Sequence, residues 1–274
     1  MAITAADVSK LRKMTGAGMM DCKNALEESH GDFEQAVEII RKRGQLVASK
    51  RADRDATEGV VIAKVSDKGD FGAIIVLNSE TDFVAKNEGF IKFAQDILDL
   101  AVAKRPADLN ALKSLPFGDR TVGDKVTEQV GIIGEKLDLS FYARIDAAQV
   151  IPYIHPGNKL STLVGLNKVV DVKVGKDIAM QVAAMNPVAV DKGDVPPEII
   201  EKEKEIGREQ ARNEGKPENM LDKIAEGKVN KFFKESTLLN QEFTKDSSKT
   251  VRQYLQGIDK DLTVSGFVRY NLNQ

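Results

Sequence analysis

The side chains that could perform bond chemistry are few in this sequence and do not gather into a reactive group. The single cysteine, Cys22, falls on the inward face of a predicted helix, and His30 stands at the end of that helix. A reactive thiol needs a neighbouring base or cation that lowers its pKa, and no such neighbour is evident here. One cysteine and two histidines are also too few for a zinc centre built from those ligands. We therefore expect no catalytic residue, no metal site and no enzymatic activity.

Phosphate-binding and acid–base patterns are missing as well. The sequence has no Gly-x4-Gly-Lys-Ser/Thr loop, and Gly16-Ala17-Gly18 follows no predicted strand, so a dinucleotide site is not expected. Carboxylates are numerous but spread along predicted solvated helices. A small-molecule enzyme is therefore the weakest of the functional hypotheses.

Two adjacent methionines, Met19 and Met20, stand near the start of a predicted helix. Neighbours on a helix point about 100° apart, so both seldom bury against one small core. Methionine is flexible and adapts to foreign surfaces. Either both side chains complete a small helical bundle, or at least one of them is available to a partner protein.

The segment Thr81-Asp82-Phe83-Val84-Ala85-Lys86 directly follows a predicted buried strand. Thr81 can cap a short helical turn, which places an acid and a large aromatic residue at the tip of a strand-to-helix connection. Such tips are usually polar, so an exposed Phe83 would suit a pocket of another protein. From its position alone, the favoured interpretation is that Phe83 folds back onto its own core.

Length and charge limit the classes of protein to which this chain can belong. It has 274 residues, with 40 Lys and Arg against 42 Asp and Glu, which suggests about two domains. A net charge of -2 argues against direct contact with nucleic acid, which favours a basic excess. No apolar run approaches the ~18 residues of a membrane span, and the first residues do not resemble a signal or transit peptide. We therefore expect a cytoplasmic protein with no membrane contact.

The first part of the chain, residues 1–54, is predicted to be a compact module of three helices. Thr4 and Asp7 form a helix-start pattern, and Asp32 can cap the third helix. Residues 41–54 hold six basic groups and one acid, which is interpreted as a solvated basic linker.

Strand patterns begin at residue 59, and the fold class is predicted to be α+β. Residues 59–65 and 73–77 are rich in β-branched and apolar side chains, and an amphipathic helix follows them. The same order recurs with residues 150–154, 163–166 and a helix, and Pro152 places the first of these strands at a sheet edge. We predict two related β/α core subdomains, residues 55–140 and 141–274, with a final strand near the end of the chain.

Residues 196–234 differ from both predicted subdomains. Charged residues dominate them, and Leu221, Ala225, Val229 and Phe232 form one narrow apolar stripe. This pattern predicts an antiparallel helical hairpin that projects from the second subdomain. An ordinary pair of surface helices is the alternative.

Four segments occur in a specific order along the chain. They are Leu11-Arg12-x-x-Thr15-Gly16-Ala17-Gly18-Met19-Met20-Asp21-Cys22-Lys23-x-Ala25-Leu26, then Gly31-Asp32, then Thr81-Asp82-Phe83-Val84-Ala85-Lys86, and finally Gly215-Lys216-Pro217. With these segments the sequence resembles the elongation factor Ts family, the guanine-nucleotide exchange factors of elongation factor Tu. The resemblance extends over nearly the whole chain. It implies a ubiquitin-associated-like helical module, a core of two β/α subdomains and a coiled-coil hairpin inserted in the second.

The resemblance also implies which residues meet the partner in the first half of the chain. Arg12, Met19 and Met20 match residues that grip the nucleotide-binding domain of elongation factor Tu. Thr81-Asp82-Phe83-Val84 matches an intruding segment. Its Asp82-Phe83 pair would enter near the phosphate and magnesium site of the partner and promote the release of GDP.

A third implied contact lies in the second half of the chain. His155 and Gly157 match a turn that touches another domain of the partner. Family members carry a run close to Gly-Arg-Ile-Gly after this histidine, whereas this chain reads Pro156-Gly157-Asn158-Lys159-Leu160-Ser161. The match at this turn is therefore only partial.

The resemblance implies no cofactor of this chain's own, because the GDP and Mg²⁺ on which it acts are bound to the partner. It implies that elongation factor Tu is met both with GDP bound and free of nucleotide. Two other hypotheses remain open from the residues alone. One is a helical adaptor that binds protein ligands through residues 1–54, and the other is an RNA-binding protein that uses residues 41–54.

Overall fold

The computed structural model describes residues 3–273, and these residues form the mixed α+β fold that the sequence predicts. The helices are α1 (Ala5–Thr15), α2 (Met19–Glu28), α3 (Phe33–Lys50), α4 (Asp82–Ala85), α5 (Glu88–Lys104), α6 (Leu109–Ser114), α7 (Val122–Ile133), α8 (Val172–Met185), α9 (Pro197–Asn213), α10 (Leu221–Ser236) and α11 (Val251–Gln256). The strands are β1 (Glu58–Val65), β2 (Phe71–Ser79), β3 (Pro116–Phe117), β4 (Arg120–Thr121), β5 (Leu137–Asp146), β6 (Gln149–Ile154), β7 (Leu160–Leu166), β8 (Glu242–Phe243), β9 (Asp246–Thr250) and β10 (Val264–Asn271). No helix within residues 3–273 is long and apolar enough to cross a membrane.

The described chain divides into two compact units. One contains residues 3–62, 75–143 and 272–273, and the other contains residues 63–74 and 144–271. The predicted boundaries at residues 54 and 140 both fall inside the first unit.

The three N-terminal helices begin where the sequence predicts. The Thr4 hydroxyl accepts from the Asp7 N–H at 3.2 Å, and the Thr4 N–H donates to the Asp7 carboxylate at 3.0 Å, so α1 starts with a complete capping box. Asp32 caps α3 by accepting from the Gln35 N–H at 3.0 Å. The core between these helices consists of Val8, Leu11, Ala17, Cys22, Ala25, Leu26 and Ala36. Cys22 is therefore a buried free thiol, as its helix face predicts.

Helix α3 continues to Lys50, which corrects the prediction of a linker over residues 41–54. Its second half packs against α7. The two helices come close at a pair of glycines, since a Cβ atom on Gly44 would lie 3.5 Å from the Gly131 Cα. Glycines allow two backbones to approach this closely, and the packing makes α3 longer than its charge pattern suggests.

Arginines of the basic run pair with carboxylates of the same chain. Arg41 contacts Asp119 at 2.5 Å, and Arg43 contacts Glu28 at 2.7 Å. Lys125 also contacts Asp119, at 2.8 Å, and this hydrogen bond lowers the pKa of Asp119 to about 2. These arginine charges thus hold α3 to neighbouring elements of its own unit.

Strands β1, β2 and β5 form a three-stranded sheet in the order β1-β2-β5. All residues of β2 are buried, as its continuous apolar run predicts. Helix α5 buries the side chains of Phe90, Ala94, Ile97, Leu98 and Ala101. The stretch 106–136 contains α6 and α7 with the short β3–β4 hairpin between them.

The second unit contains a three-stranded sheet in the order β10-β7-β6. Strand β6 is at the edge, so Pro152 occupies the edge position that the sequence predicts. The core of this unit includes Ile151, Val164, Leu166, Ile178, Val182, Leu238, Leu239, Val251 and Leu255. A strand hairpin followed by a helix thus occurs in this unit as in the sequence prediction.

Helices α9 and α10 pack against each other as an antiparallel hairpin. Leu221, Ala225 and Val229 are buried along α10, as the apolar stripe predicts. The facing residues on α9 are Gly207 and Ala211, which are small and let the backbones approach. Ile206, a larger apolar residue of α9, is 37% exposed.

Candidate functional site

The turn between α1 and α2 is built by short residues that fix its backbone. Helix α1 ends at Gly16, whose φ of 74° is left-handed and whose N–H donates to the Arg12 carbonyl at 2.7 Å. The Thr15 hydroxyl donates to the Leu11 carbonyl at 2.9 Å, and Ala17 is buried in the helical core. These contacts place the first residues of α2 directly after a rigid turn.

Met19 and Met20 are the first two residues of α2, and both are exposed. Their side chains are 45% and 64% exposed, so neither completes the small bundle. Arg12 is exposed near the end of α1. The structure thus supports the second of the two interpretations, in which methionine side chains are available to a partner.

Phe83 lies in the four-residue helix α4, and its side chain is 83% exposed. This contradicts the interpretation from position alone, in which the ring folds back onto its own core. Thr81 caps α4, as predicted, by accepting from the Val84 N–H at 3.5 Å. Ala85 is buried and anchors the other end of the turn. The ring is therefore presented to solvent from a short turn that is held at both ends.

Thr81 is fixed by a glutamate that sequence analysis did not single out. One carboxylate oxygen of Glu135 accepts from the Thr81 hydroxyl at 2.7 Å, and the other accepts from the Thr81 N–H at 3.0 Å. Bonds of this kind are shorter and stronger than neutral ones because the acceptor is charged. Glu135 is 54 residues away along the chain, so no local pattern in the sequence points to it.

The residue before Thr81 is held from the same side. Glu80 accepts from the Lys136 N–H at 2.6 Å and pairs with Arg51 at 2.7 Å and with Arg54 at 3.2 Å. The Lys136 hydrogen bond, with help from both arginines, lowers the pKa of Glu80 below its usual value. The end of the predicted basic linker therefore holds the connection that carries Phe83.

Asp82 is tied to the last part of the same turn. Its carboxylate contacts the Lys86 ammonium at 2.6 Å, which raises the pKa of Lys86. This is an i, i+4 pair on an exposed surface, so it contributes little to stability by itself. It does orient the Asp82 carboxylate next to the exposed ring.

His155 and Gly157 lie in the turn between β6 and β7, in the second unit. The His155 N–H donates to the Leu160 carbonyl at 2.8 Å, and Gly157 has a left-handed φ of 92°. Nδ1 of His155 lies 2.9 Å from the Tyr153 hydroxyl. Both residues are exposed.

The site residues thus form three exposed groups: the α1–α2 turn, the α4 turn and the β6–β7 turn. The first two belong to one unit and the third to the other. Within residues 3–273 no group of three or more His, Cys, Asp or Glu side chains is arranged to hold a metal ion. The geometry offers surfaces for contact with another macromolecule.

Comparison with known proteins identifies the family. The family model described as Elongation factor TS matches residues 80–274, which include the α4 turn and the β6–β7 turn. A protein of Porphyromonas gingivalis named Elongation factor Ts is 55% identical over 274 residues, covering 100% of this chain and 99% of its own length. Proteins of the same name from Amoebophilus asiaticus and Cytophaga hutchinsonii are 55% and 52% identical and cover 98% and 99% of this chain. The relatives extend the match over the α1–α2 turn, so this chain belongs to the elongation factor Ts family.

Proposed function

We propose that this chain is a guanine-nucleotide exchange factor for elongation factor Tu and promotes the release of GDP during translation elongation. The observation that carries the proposal is Phe83, a large aromatic side chain that is 83% exposed at the tip of a fixed turn. An exposed ring of this size lowers solubility and contributes little to the stability of its own fold. Such exposure is typical of an aromatic residue that binds in a pocket of a partner protein. Family membership names the partner.

Exchange follows from thermodynamic linkage. A factor that binds the nucleotide-free partner more tightly than the loaded partner must weaken nucleotide binding by the same ratio. Release accelerates when that weakening is already present in the complex of all three molecules. GTP rebinding then displaces the factor by the same reciprocity.

The proposed mechanism assigns the release to Asp82 and Phe83. The ring would enter beside the loop whose backbone N–H groups hold the phosphates of GDP and shift that loop by steric contact. Loss of Mg²⁺ coordination would leave the phosphate charge poorly neutralised. No bond is made or broken on this chain, and the GDP and Mg²⁺ belong to the partner. Thr81 and Val84 flank the pair and set its direction.

Two other surfaces would supply affinity. Arg12, Met19 and Met20 would grip the nucleotide-binding domain of the partner, and His155 with Gly157 would touch another of its domains. Exposed methionines suit this role because they pack against surfaces of varied shape. In this scheme binding and wedging are carried by separate parts of the chain.

The direct test uses purified elongation factor Tu loaded with fluorescent GDP and an excess of unlabelled GDP. We expect small amounts of this chain to accelerate the loss of fluorescence, with a rate that saturates as its concentration rises. An off-rate that stays the same at all concentrations rejects the proposed function. A helical adaptor would bind elongation factor Tu, if at all, without this acceleration.

The double substitution Met19→Ala and Met20→Ala tests the gripping surface. We expect the concentration for half-maximal exchange to rise about tenfold. The reason is that each methionine would lose a contact with the partner that contributes roughly 0.7 kcal/mol to binding. The maximal rate should change little, since Phe83 is untouched. Met185→Ala is a matched control, because Met185 is 44% exposed in the other unit. A lower maximal rate at an unchanged half-maximal concentration contradicts the assignment.

A further inference from the structure

We propose that Glu135 is a positioning residue that holds Phe83 in the orientation required for nucleotide release. This inference rests on the proposed function, because it concerns how the ring of that site is aimed. Nothing in the sequence motif includes Glu135.

The ring itself receives almost no guidance from packing. Phe83 is 83% exposed, so its direction is set by the backbone of α4 rather than by neighbouring side chains. A four-residue helix has no stability of its own, because helix formation requires a longer segment. Something outside α4 must therefore fix its backbone.

Glu135 supplies that fixation at the first residue of the turn. Its two carboxylate oxygens bind the N–H and the hydroxyl of Thr81 at 3.0 and 2.7 Å. Because the hydroxyl hydrogen is directed at Glu135, the hydroxyl oxygen is free to accept from the Val84 N–H. The glutamate thus orients the cap on which α4 depends. Thr81 is the only hydrogen-bonding or ionic partner of the Glu135 side chain among residues 3–273.

The neighbouring residue extends the same attachment. Lys136 donates its N–H to Glu80 at 2.6 Å, and its ammonium donates to the carbonyls of Ala52 and Arg54 at 2.7 Å each. Residues 135 and 136 therefore hold the consecutive residues 81 and 80. Strand β5 begins at Leu137, so this anchor is continuous with the sheet.

A fixed turn matters because a wedge has to displace part of another protein. If the turn were loose, the backbone would have to be ordered during binding, and the ring would yield when the partner's loop pushes back. A preorganised turn is ordered before the partner arrives. Loss of Glu135 should therefore affect the maximal release rate more than the initial association.

The first measurement compares exchange by the wild-type chain and by Glu135→Ala. We expect the maximal rate of GDP release to fall about tenfold, with less than a threefold change in the concentration for half-maximal exchange. Glu135→Gln keeps one acceptor oxygen and should restore part of the rate. Thr81→Val removes the other side of the contact and should resemble Glu135→Ala. Glu38→Ala is the matched control, because Glu38 is an exposed glutamate of the same unit whose one ionic partner among residues 3–273 is Lys42.

The second measurement needs no partner and no exchange activity. The chain has no tryptophan, so Phe83→Trp introduces a single indole whose local motion is read by time-resolved fluorescence anisotropy. We expect the amplitude of subnanosecond motion at position 83 to increase when Glu135→Ala or Thr81→Val is added, and to remain low with Glu38→Ala. The melting temperature is recorded for each variant so that a variant that does not fold is set aside and Glu135→Gln replaces it.

Two results overturn the proposal. One is unchanged motion at position 83 when Glu135 or Thr81 is substituted in a folded chain. The other is increased motion with an unchanged maximal exchange rate, since positioning would then have no effect on release. A wild-type chain without exchange activity rejects the proposed function instead, and the anisotropy still shows whether Glu135 fixes the turn.

Discussion

Replacing Phe83 with alanine is expected to slow GDP release at saturating factor concentration by about 30-fold, which corresponds to about 2 kcal/mol of lost transition-state stabilisation. The affinity for nucleotide-free elongation factor Tu should fall by less, about threefold, because most of the contact area lies elsewhere. The reason is that the ring is proposed to act on the phosphate-binding loop, which is displaced only as the nucleotide leaves. An interaction that exists chiefly in that state changes the rate more than the binding constant.

Two assays separate the rate from the affinity. The release rate is measured by loss of fluorescent GDP at increasing factor concentration, and the affinity by calorimetry with nucleotide-free partner. Val169→Ala is a suitable control, since Val169 is an apolar side chain that is 74% exposed in the other unit. Equal losses of rate and affinity in the Phe83 variant would show that the ring is an ordinary contact and not a wedge.

The local elements of this fold follow directly from short-range chemistry. The Thr4–Asp7 capping box starts α1, and the apolar run within residues 73–77 becomes the buried strand β2. Pro152 falls on an edge strand because proline has no N–H to donate to a neighbour. Each of these features depends on residues within a few positions of one another, and such features are accessible from sequence.

The exposure of Phe83 could not be predicted from its neighbours in the sequence. Position alone favoured burial of Phe83, because the removal of a large aromatic side chain from water lowers the free energy of the folded state. Its exposure depends on the attachment of residues 80 and 81 to residues 135 and 136, which are far away in the chain. The local pattern offered a protruding ring only as the less favoured alternative, the resemblance to a family supported it, and neither indicated Glu135.

The basic run 41–54 was misinterpreted for a related reason. Its charge pattern is typical of a solvated linker, yet Arg41 pairs with Asp119 and Arg51 with Glu80. Those acids lie 78 and 29 residues away, so their pairing depends on the fold and not on local spacing. Helix α3 is extended because its neighbours supply partners that a sequence window does not contain.

A valine at position 131 is expected to lower the free energy of unfolding by about 3 kcal/mol, and an alanine by about 1–2 kcal/mol. A Cβ atom at Gly131 would fall inside van der Waals contact with the Gly44 Cα, so the backbones of α3 and α7 would have to separate. Valine and alanine both have a higher helix propensity than glycine, and for alanine the difference is about 1 kcal/mol. This stabilisation is smaller than the cost of moving two packed backbones apart. The midpoint of urea unfolding measures the change.

Gly123→Ala is the matched control, because Gly123 lies on the same helix and its added Cβ would meet nothing closer than 3.4 Å. It should leave the midpoint unchanged or raise it, and a similar loss in both variants would show that α7 tolerates no side chain for reasons unrelated to α3.

The α1–α2 turn and the α4 turn belong to the same unit, and α3 is attached to both, through the helical core and through Arg51. If α3 separates from α7, the two exposed turns should lose their fixed spacing. A higher concentration of the Gly131→Val variant should then be needed for half-maximal exchange, even at temperatures where this variant remains folded. A destabilised variant with unchanged exchange would show that the two exposed turns do not need a fixed spacing.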